Sequence, residues 1–326
     1  MRFAAHWGEA TLRAIRDVAP TIRVFDLVPQ AGNLLPFTPG AHLDIRVMVN
    51  GQPETRSYSL IGEAGGDSYR IGVRRRADSR GGSDYLWSLA PGARLAITAP
   101  KSAFTLDFEH SEFLLVAGGI GITPLIGMAG LLKRRGARFR LLHAARQRAD
   151  LGFERELAAL LGADYIPMLS EEGRRIDLGA EFARLAPDAL CALCGPMPML
   201  DAARRLWAAA GRPAANLRWE TFGSSGRLGA EDFRVRVPRH GVDLIVPRTM
   251  TLLDALERAG IGVISDCRRG ECGLCAMDVL AVEGEIDHRD VFFSDHEKAA
   301  NGRICACVSR ATGTLTIDSD YRPDAI

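Results

Sequence analysis

Cys267-Arg268-Arg269-Gly270-Glu271-Cys272-Gly273-Leu274-Cys275 is the stretch that decides the reading of this chain, and Cys305 and Cys307 complete it after a long gap. Four residues separate Cys267 from Cys272, and two separate Cys272 from Cys275. The C-x4-C-x2-C…C spacing is the plant-type ligand set of a [2Fe–2S] cluster. Four soft thiolates must converge on two irons from a loop tight enough to wrap them. Gly270 and Gly273 suit such a loop, because glycine reaches backbone angles closed to other residues. Zinc also takes four thiolates, but usually as two close pairs, and three close cysteines with one distant fit that pattern poorly. Spacing leaves the fourth ligand open. Between Cys275 and Cys305 lie 29 residues, and between Cys275 and Cys307 lie 31. On a strand both would face the same side.

Around this loop, residues 226–326 read as a small α+β domain. A hairpin is expected over 233–238 and 242–246, an amphipathic helix over 251–259 with Thr251 near its start, and a last strand over 315–318. Gly223-Ser224-Ser225-Gly226 has the composition of a flexible linker before it.

Residues 105–225 alternate apolar runs with helical segments. The near-continuous run 112–117 has the character of a buried parallel strand. It leads into Gly118-Gly119-Ile120-Gly121-Ile122-Thr123-Pro124 and a helix to about residue 134. Further strands are expected over 138–145, 165–169 and 189–194, helices over 155–161 and 199–210, and a closing strand over 219–222. This is an α/β nucleotide domain on a parallel sheet, whose ligands belong at the C-terminal strand ends. Glycines at such a strand-to-helix turn allow close approach to a pyrophosphate, although the spacing is not G-x-G-x-x-G. Cys194-Gly195-Pro196 stands at another strand end. Cys191 and Cys194 are three apart on a strand and point to opposite faces, which argues against a disulfide or metal site there.

Residues 1–104 carry short alternating strands, over 22–28, 42–47, 68–74 and 94–97, broken by glycine and proline turns, with one short helix near 84–89. This pattern predicts a small antiparallel barrel. Two elements here have chemistry to offer. Arg56 in Arg56-Ser57-Tyr58-Ser59-Leu60 can fork onto a phosphate, with Tyr58 and Ser59 available to a flat ring. Arg80-Gly81-Gly82-Ser83 precedes the helix, where glycines and a helix start favour a phosphate. Taken singly, each reads equally as an ordinary strand and an ordinary turn.

The chain has 326 residues, 47% hydrophobic and 25% charged, with a formal net charge of +1. That balance implies no nucleic-acid or membrane partner. The first residues hold no apolar run suited to a signal peptide, and no stretch approaches the ~20 apolar residues of a membrane span. Five of the seven cysteines lie within 267–307, which favours metal binding over disulfides. A cytoplasmic location and a monomer are expected.

With all three segments in view, the chain resembles the phthalate dioxygenase reductase family, to which vanillate demethylase reductase is related. The likeness rests on Arg56-x-Tyr58-Ser59, Gly118-Gly119-x-Gly121-x-Thr123-Pro124, Cys194-Gly195-Pro196 and the cysteine loop, with Asp287-His288-Arg289-Asp290 and Cys307-Val308-Ser309-Arg310 in support. It implies a multidomain chain: an antiparallel β-barrel flavin domain (1–104), an α/β parallel-sheet NAD-binding domain (105–225) and an α+β plant-type ferredoxin (β-grasp) domain (226–326). Implied cofactors are FMN, NADH and a [2Fe–2S] cluster, and the implied partner is a Rieske-type oxygenase.

By position, the resemblance assigns Arg56, Gly81, Gly82 and Ser83 to the flavin phosphate. It assigns Tyr58 and Ser59 to the isoalloxazine, with Ser57, Val73 and Arg74 in the same site. Gly118, Gly119, Gly121, Pro124, Gly195 and Pro196 go to the nucleotide, and Thr123 and Cys194 border the nicotinamide. Phe222 packs near the flavin. Ser59, Thr123 and Cys194 steer hydride transfer, and no residue is nominated as a general acid or base. The cluster ligands become Cys267, Cys272, Cys275 and Cys307, with Cys307 preferred to Cys305. Arg268, Arg269 and Glu271 are expected on an exposed rim where the partner docks. A different acceptor, such as a cytochrome P450, or a module that binds the cofactors without turnover, are the alternatives.

Overall fold

A computed structural model describes residues 7–30, 34–63, 65–75, 79, 81–102, 104–222, 228–229 and 231–318. The linker expected over 223–226 and Arg80 lie outside the described residues. The chain divides into two compact units, residues 1–220 and 221–326. Among the described residues, no helix is long and apolar enough to cross a membrane.

The first unit begins with six antiparallel strands: β1 (Trp7–Ala19), β2 (Ile22–Pro29), β3 (His42–Val49), β4 (Gln52–Ser59), β5 (Tyr69–Arg74) and, after helix α1 (Gly82–Ser88), β6 (Arg94–Thr98). Their order is β4-β3-β6-β1-β2-β5. A bridge between Leu60 and Ile71 joins the two outer strands, so the sheet curls on itself as the alternation predicts. Leu12, Phe25, Leu43, Ile45 and Ile71 fill the interior at 0% exposure. Strand β1 is not visible in the sequence pattern. Ala10 and Leu12 are its only buried residues, and a register shift between Leu12 and Ala14 breaks the two-residue period that identifies strands.

The same unit continues with five parallel strands: β7 (Glu112–Gly118), β8 (Arg138–Ala145), β9 (Tyr165–Leu169), β10 (Leu190–Cys194) and β11 (Leu217–Glu220). They are interleaved with α2 (Ile122–Arg134), α3 (Glu154–Leu161), α4 (Leu178–Ala183) and α5 (Met197–Ala209). The order β11-β10-β7-β8-β9 places the reversal of winding between β7 and β10. Ligands of open α/β sheets bind at the carboxyl ends of the strands at such a reversal. The expected strands and helices fall within a few residues of these bounds. Helix α4 is the exception, with six residues and a cap from the Asp177 side chain to the Ala180 amide, too short to show a period.

Glycine lets the barrel and the parallel sheet touch. A methyl group at Gly127 on α2 would stand 2.0 Å from the carbonyl oxygen of Gly62, and one at Gly72 would stand 2.8 Å from the Thr123 methyl. His143 tightens the other side of the switch point. Its ring is 0% exposed, with Nε2 3.0 Å from the Gly119 carbonyl and Nδ1 3.1 Å from the Tyr165 hydroxyl. A carbonyl only accepts, so Nε2 carries the proton and Nδ1 accepts from Tyr165. Burial pushes His143 down to about 4, against the Gly119 hydrogen bond, and the ring is neutral at pH 7.

The second unit holds the sheet β13-β12-β18-β14-β16, made from β12 (Phe233–Val237), β13 (Val242–Val246), β14 (Ala276–Glu283), β16 (Arg303–Cys305) and β18 (Thr314–Asp318). A small ladder pairs β15 (Ile286–Asp287) with β17 (Arg310–Ala311). Helix α6 (Leu252–Arg258), capped by Thr251, packs Leu252, Leu253 and Leu256 into the core with Phe233, Val235, Leu315 and Ile317. A second helix, α7 (Asp295–Ala300), opens on a Ser294–Glu297 capping box. The hairpin, helix and final strand are those expected, and the parallel β12–β18 pair gives the β-grasp arrangement.

Two measurements follow from this packing. Gly127→Ala forces a methyl into backbone and should cost about 1–3 kcal/mol in urea unfolding; an unchanged midpoint would contradict the close approach. His143 has an ordinary value of 6.5 and a folded value of about 4. Between these the unfolded chain binds a proton that the folded chain refuses. Stability is therefore full above 6.5 and falls as pH drops toward 4. The loss at pH 5 is about 2 kcal/mol. His143→Gln should remove that part of the difference between unfolding free energies at pH 7 and pH 5, and a variant with the wild-type difference would refute the assignment.

Candidate functional site

Strands β7 and β10 end side by side, with Ala117 paired to Cys194. The loops that leave them meet at backbone distance. A methyl at Gly121 would fall 2.2 Å from the Cys194 carbonyl oxygen, and one at Gly118 would fall 2.5 Å from Pro196 and 3.1 Å from the Gly195 Cα. Gly119 has φ +55°. Close packing thus requires two of these glycines, and a left-handed backbone favours the third. Thr123 is buried and donates to the Ile120 carbonyl at 3.0 Å, and Pro124 is buried in the first turn of α2. Cys191 and Cys194 form no disulfide and are fully buried, and burial pushes the Cys191 thiol up.

The barrel contributes Ser59 at the end of β4. It is buried, and its hydroxyl donates to the Glu220 carboxylate at 3.3 Å across 161 positions of sequence. Glu220 ends β11, beside Cys194 in the ladder, and is 1% exposed. No motif marks it. Only the parallel pairing of β11 with β10 carries a carboxylate to this place, which is why sequence reading passes over it. Ser59, Thr123, Cys194 and Glu220 together give the switch point small polar groups and one buried acid.

Arg56 lies against the start of α1, where a methyl at Gly82 would stand 2.9 Å from its side chain, and Gly81 has φ +86°. The guanidinium pairs with Glu54 at 2.5 Å and donates to the Thr55 carbonyl at 3.0 Å. Ser83 and Ser79 share a hydroxyl hydrogen bond of 2.8 Å, and the Gly81 amide donates to Ser79. A cation beside glycines that admit no side chain suits a phosphate, so the residues fit the phosphate end of a flavin mononucleotide. Tyr58 is half-buried on the same face of β4 as Arg56. Ser57 faces the other way, donating to Asp44 at 2.5 Å. The Val73 side chain belongs to the barrel core, its backbone is paired with Arg23 of β2, and its carbonyl accepts from the Trp87 Nε1 at 3.2 Å. Arg74 pairs with Asp150 at 3.0 Å and stands 3.4 Å from a methyl placed at Gly119. Phe222 is half-buried at the start of the second unit.

In the second unit the cysteine loop is built as its glycines require. Gly270, Gly273 and Arg268 have φ of +76°, +73° and +50°. Methyl groups on the two glycines would collide with Asp290 and Val308, and with the Phe292 ring. Cys267 Sγ accepts from the amides of Arg269, Glu271 and Cys272, each at 3.4 Å. Its thiol interacts with Cys272 and Cys307, which with these amides hold it far below the ordinary thiol range. Cys275 interacts with Cys305 and Cys307 and is drawn down to about 4. The same contacts push Cys272 and Cys307 up, as within thiol–thiolate pairs; interacting cysteine side chains with amide hydrogen bonds to a sulfur are a feature of iron–sulfur sites, so the donor set fits a [2Fe–2S] cluster. Cys305 ends β16, paired with Ala276 and fully buried in the core. Cys307 lies in the turn beyond, is buried in the same core at 3% exposure, and interacts with both Cys267 and Cys275.

The expected charged rim is corrected. Arg268 is folded back onto Asp254 at 3.0 Å and Glu257 at 2.9 Å. Arg269 is 6% exposed and pairs with Glu271 at 3.2 Å, whose carboxylate also accepts from the Thr221 amide. Charges near a tight loop are spent on holding it. The exposed side chains there are Asp266 and the apolar Leu274 at 51% and Phe292 at 45%.

Residues 236–312 match the family model of the 2Fe-2S iron–sulfur cluster binding domain. Over 98% of its length the chain is 37% identical to the whole of phenoxybenzoate dioxygenase subunit beta of Ectopseudomonas oleovorans. Its fold superposes on the solved phthalate dioxygenase reductase with a TM-score of 0.78 at 32% identity, covering 96% of this chain and 98% of the other. It also matches 41% of an intact type IV self-sufficient cytochrome P450 monooxygenase, with a TM-score of 0.67, 31% identity and 95% of this chain covered. With a barrel, a doubly wound nucleotide sheet and a cysteine-bearing β-grasp domain in one chain of matching length, the protein belongs to the phthalate dioxygenase reductase family, the reductases of oxygenase systems.

Proposed function

We propose that this chain oxidises NADH and delivers single electrons to a Rieske-type oxygenase. Residues 1–104 hold FMN, 105–225 the nucleotide and 226–326 a [2Fe–2S] cluster. The convergence of Cys267, Cys272, Cys275 and Cys307 within one loop and its neighbouring turn carries the reading. The cofactors supply the redox chemistry, accepting a hydride and releasing electrons singly, and the protein supplies binding, orientation and electrostatics. Arg56, with the Gly81-Gly82-Ser83 turn, binds the flavin phosphate. Gly118, Gly119 and Gly121 bring backbone amides to the pyrophosphate at the start of α2. Ser59, Thr123 and Cys194 pack the reacting rings, and Glu220 orients Ser59. The cluster ligands are Cys267, Cys272, Cys275 and Cys307, while Cys305 serves the core.

A groove of about 270 Å³ at the ends of β8 and β9, lined by Ala144, Met168, Ile176 and Met199 among others, suits the adenosine half of the nucleotide. Of Arg146 and Arg148, the candidates for a 2′-phosphate after β8, Arg148 is committed to Glu154 and Glu172, while Arg174 and Arg175 line the groove; NADH over NADPH rests on the family resemblance, and rates with the two nucleotides decide it. Leu274 and Phe292 offer the acceptor an apolar contact beside the cluster loop. The match to the P450 monooxygenase favours a second reading in which the acceptor is a haem oxygenase, and reconstitution with each class of acceptor separates the two.

Holoprotein should reduce cytochrome c with NADH; cofactor-loaded protein that does not would sink this function and leave a non-turnover module. Cys307→Ser should lose the visible absorbance of the cluster and cytochrome c reduction while keeping ferricyanide reduction, and Cys305→Ser should keep all three. The reverse pattern would reassign the ligand. Ser59→Ala should slow flavin reduction by NADH roughly tenfold to a hundredfold, read by stopped flow, with flavin content unchanged.

A further inference from the structure

Asp287-His288-Arg289-Asp290 is absorbed by neither the flavin, the nucleotide nor the ligand set, yet all four side chains are buried. Asp287 and Arg289 neutralise each other at 2.8 Å. Asp290 is different. It is 0% exposed, and its carboxylate accepts from the Phe293 amide at 2.9 Å and the Ser309 hydroxyl at 3.1 Å. Lys298 donates to the Asp290 carbonyl and not to the carboxylate. His288 Nδ1 stands 3.6 Å away, beyond hydrogen-bond reach, while its Nε2 engages Asn301 at 3.0 Å. Among the described residues no lysine or arginine forms an ion pair with the Asp290 carboxylate. Burial favours its protonated form, but the His288 ring, the Phe293 amide and Lys298 outweigh burial and hold it below the usual carboxylate range.

This anion sits directly behind the cysteine loop. A methyl at Gly270 would stand 2.8 Å from the Asp290 Cα, and the Val291 amide donates to the Gly270 carbonyl at 2.9 Å. Ser309, its hydroxyl donor, is two residues past Cys307.

We propose that Asp290 is a positioning residue whose buried charge sets the cluster of this domain at a low reduction potential; the inference rests on the cluster reading above. Cluster potentials follow net charge and hydrogen bonding around the sulfurs. Placing an electron beside a fixed negative charge is unfavourable, and burial screens it little. The step adds one electron and moves no proton or bond, so the whole effect appears in the potential. A low potential favours onward transfer to the acceptor.

The test is an EPR-monitored potentiometric titration of the full-length holoprotein. Asp290→Asn should ease reduction by a factor of ten or more, a rise of about 59 mV for one electron. Asp290→Glu, which keeps the charge, should return most of the way to wild type. Ser309→Ala keeps the charge and removes one donor to it, and should titrate at or below the wild-type potential. Asp290→Asn with an intact cluster spectrum and the wild-type potential would overturn the proposal. So would equal shifts in the Asn and Glu variants, or a rise in Ser309→Ala should the Asn variant fail to load a cluster. A wild-type chain that holds no cluster refutes the proposed function instead.

Discussion

The second unit depends on bringing like groups together. Thiols repel as thiolates, and Cys267, Cys272, Cys275 and Cys307 interact within one loop and one turn. Three amides directed at Cys267 Sγ offset that repulsion in part, and a bound metal would remove the rest. The surroundings are arranged around the same demand. Gly270 and Gly273 give the loop its left-handed turns, Arg268 is anchored to α6 through Asp254 and Glu257, and Asp290 fills the space that a side chain at 270 would need.

In the first unit the controlling constraint is steric. The switch point of the parallel sheet works only if the loops after β7 and β10 pass at backbone distance, and Gly118, Gly121 and Gly195 permit it. His143 then fixes the Gly119 peptide from below as a neutral ring. The barrel reaches the same place by its own glycines, Gly62 and Gly72, so that Ser59 from β4 meets Glu220 from β11.

Much of this was legible in the chain. The apolar runs of β7 and β10 and the period of α2 identify an α/β layer, because parallel strands are covered on both faces. The C-x4-C-x2-C spacing carries its own chemistry. What escaped the sequence has physical causes. Strand β1 loses its alternation to a bulge and to charged residues that stay in solvent, such as Arg16. Glu220 is one acid among many until strand pairing places it. Charge near a functional loop suggests an exposed rim, yet Arg269 is buried beside Glu271, because a tight loop needs internal ion pairs. Spacing cannot separate Cys305 from Cys307, since the two lie two residues apart and both are buried in the same core.

Electrons from NADH reach the cluster by way of the flavin. Anaerobic addition of NADH to the full-length protein, followed by EPR of the frozen sample, tests this route most directly. A reduced-cluster signal is expected in the holoprotein, and none when the flavin has been removed and the cluster retained. A reduced-cluster signal of equal size without flavin would contradict it.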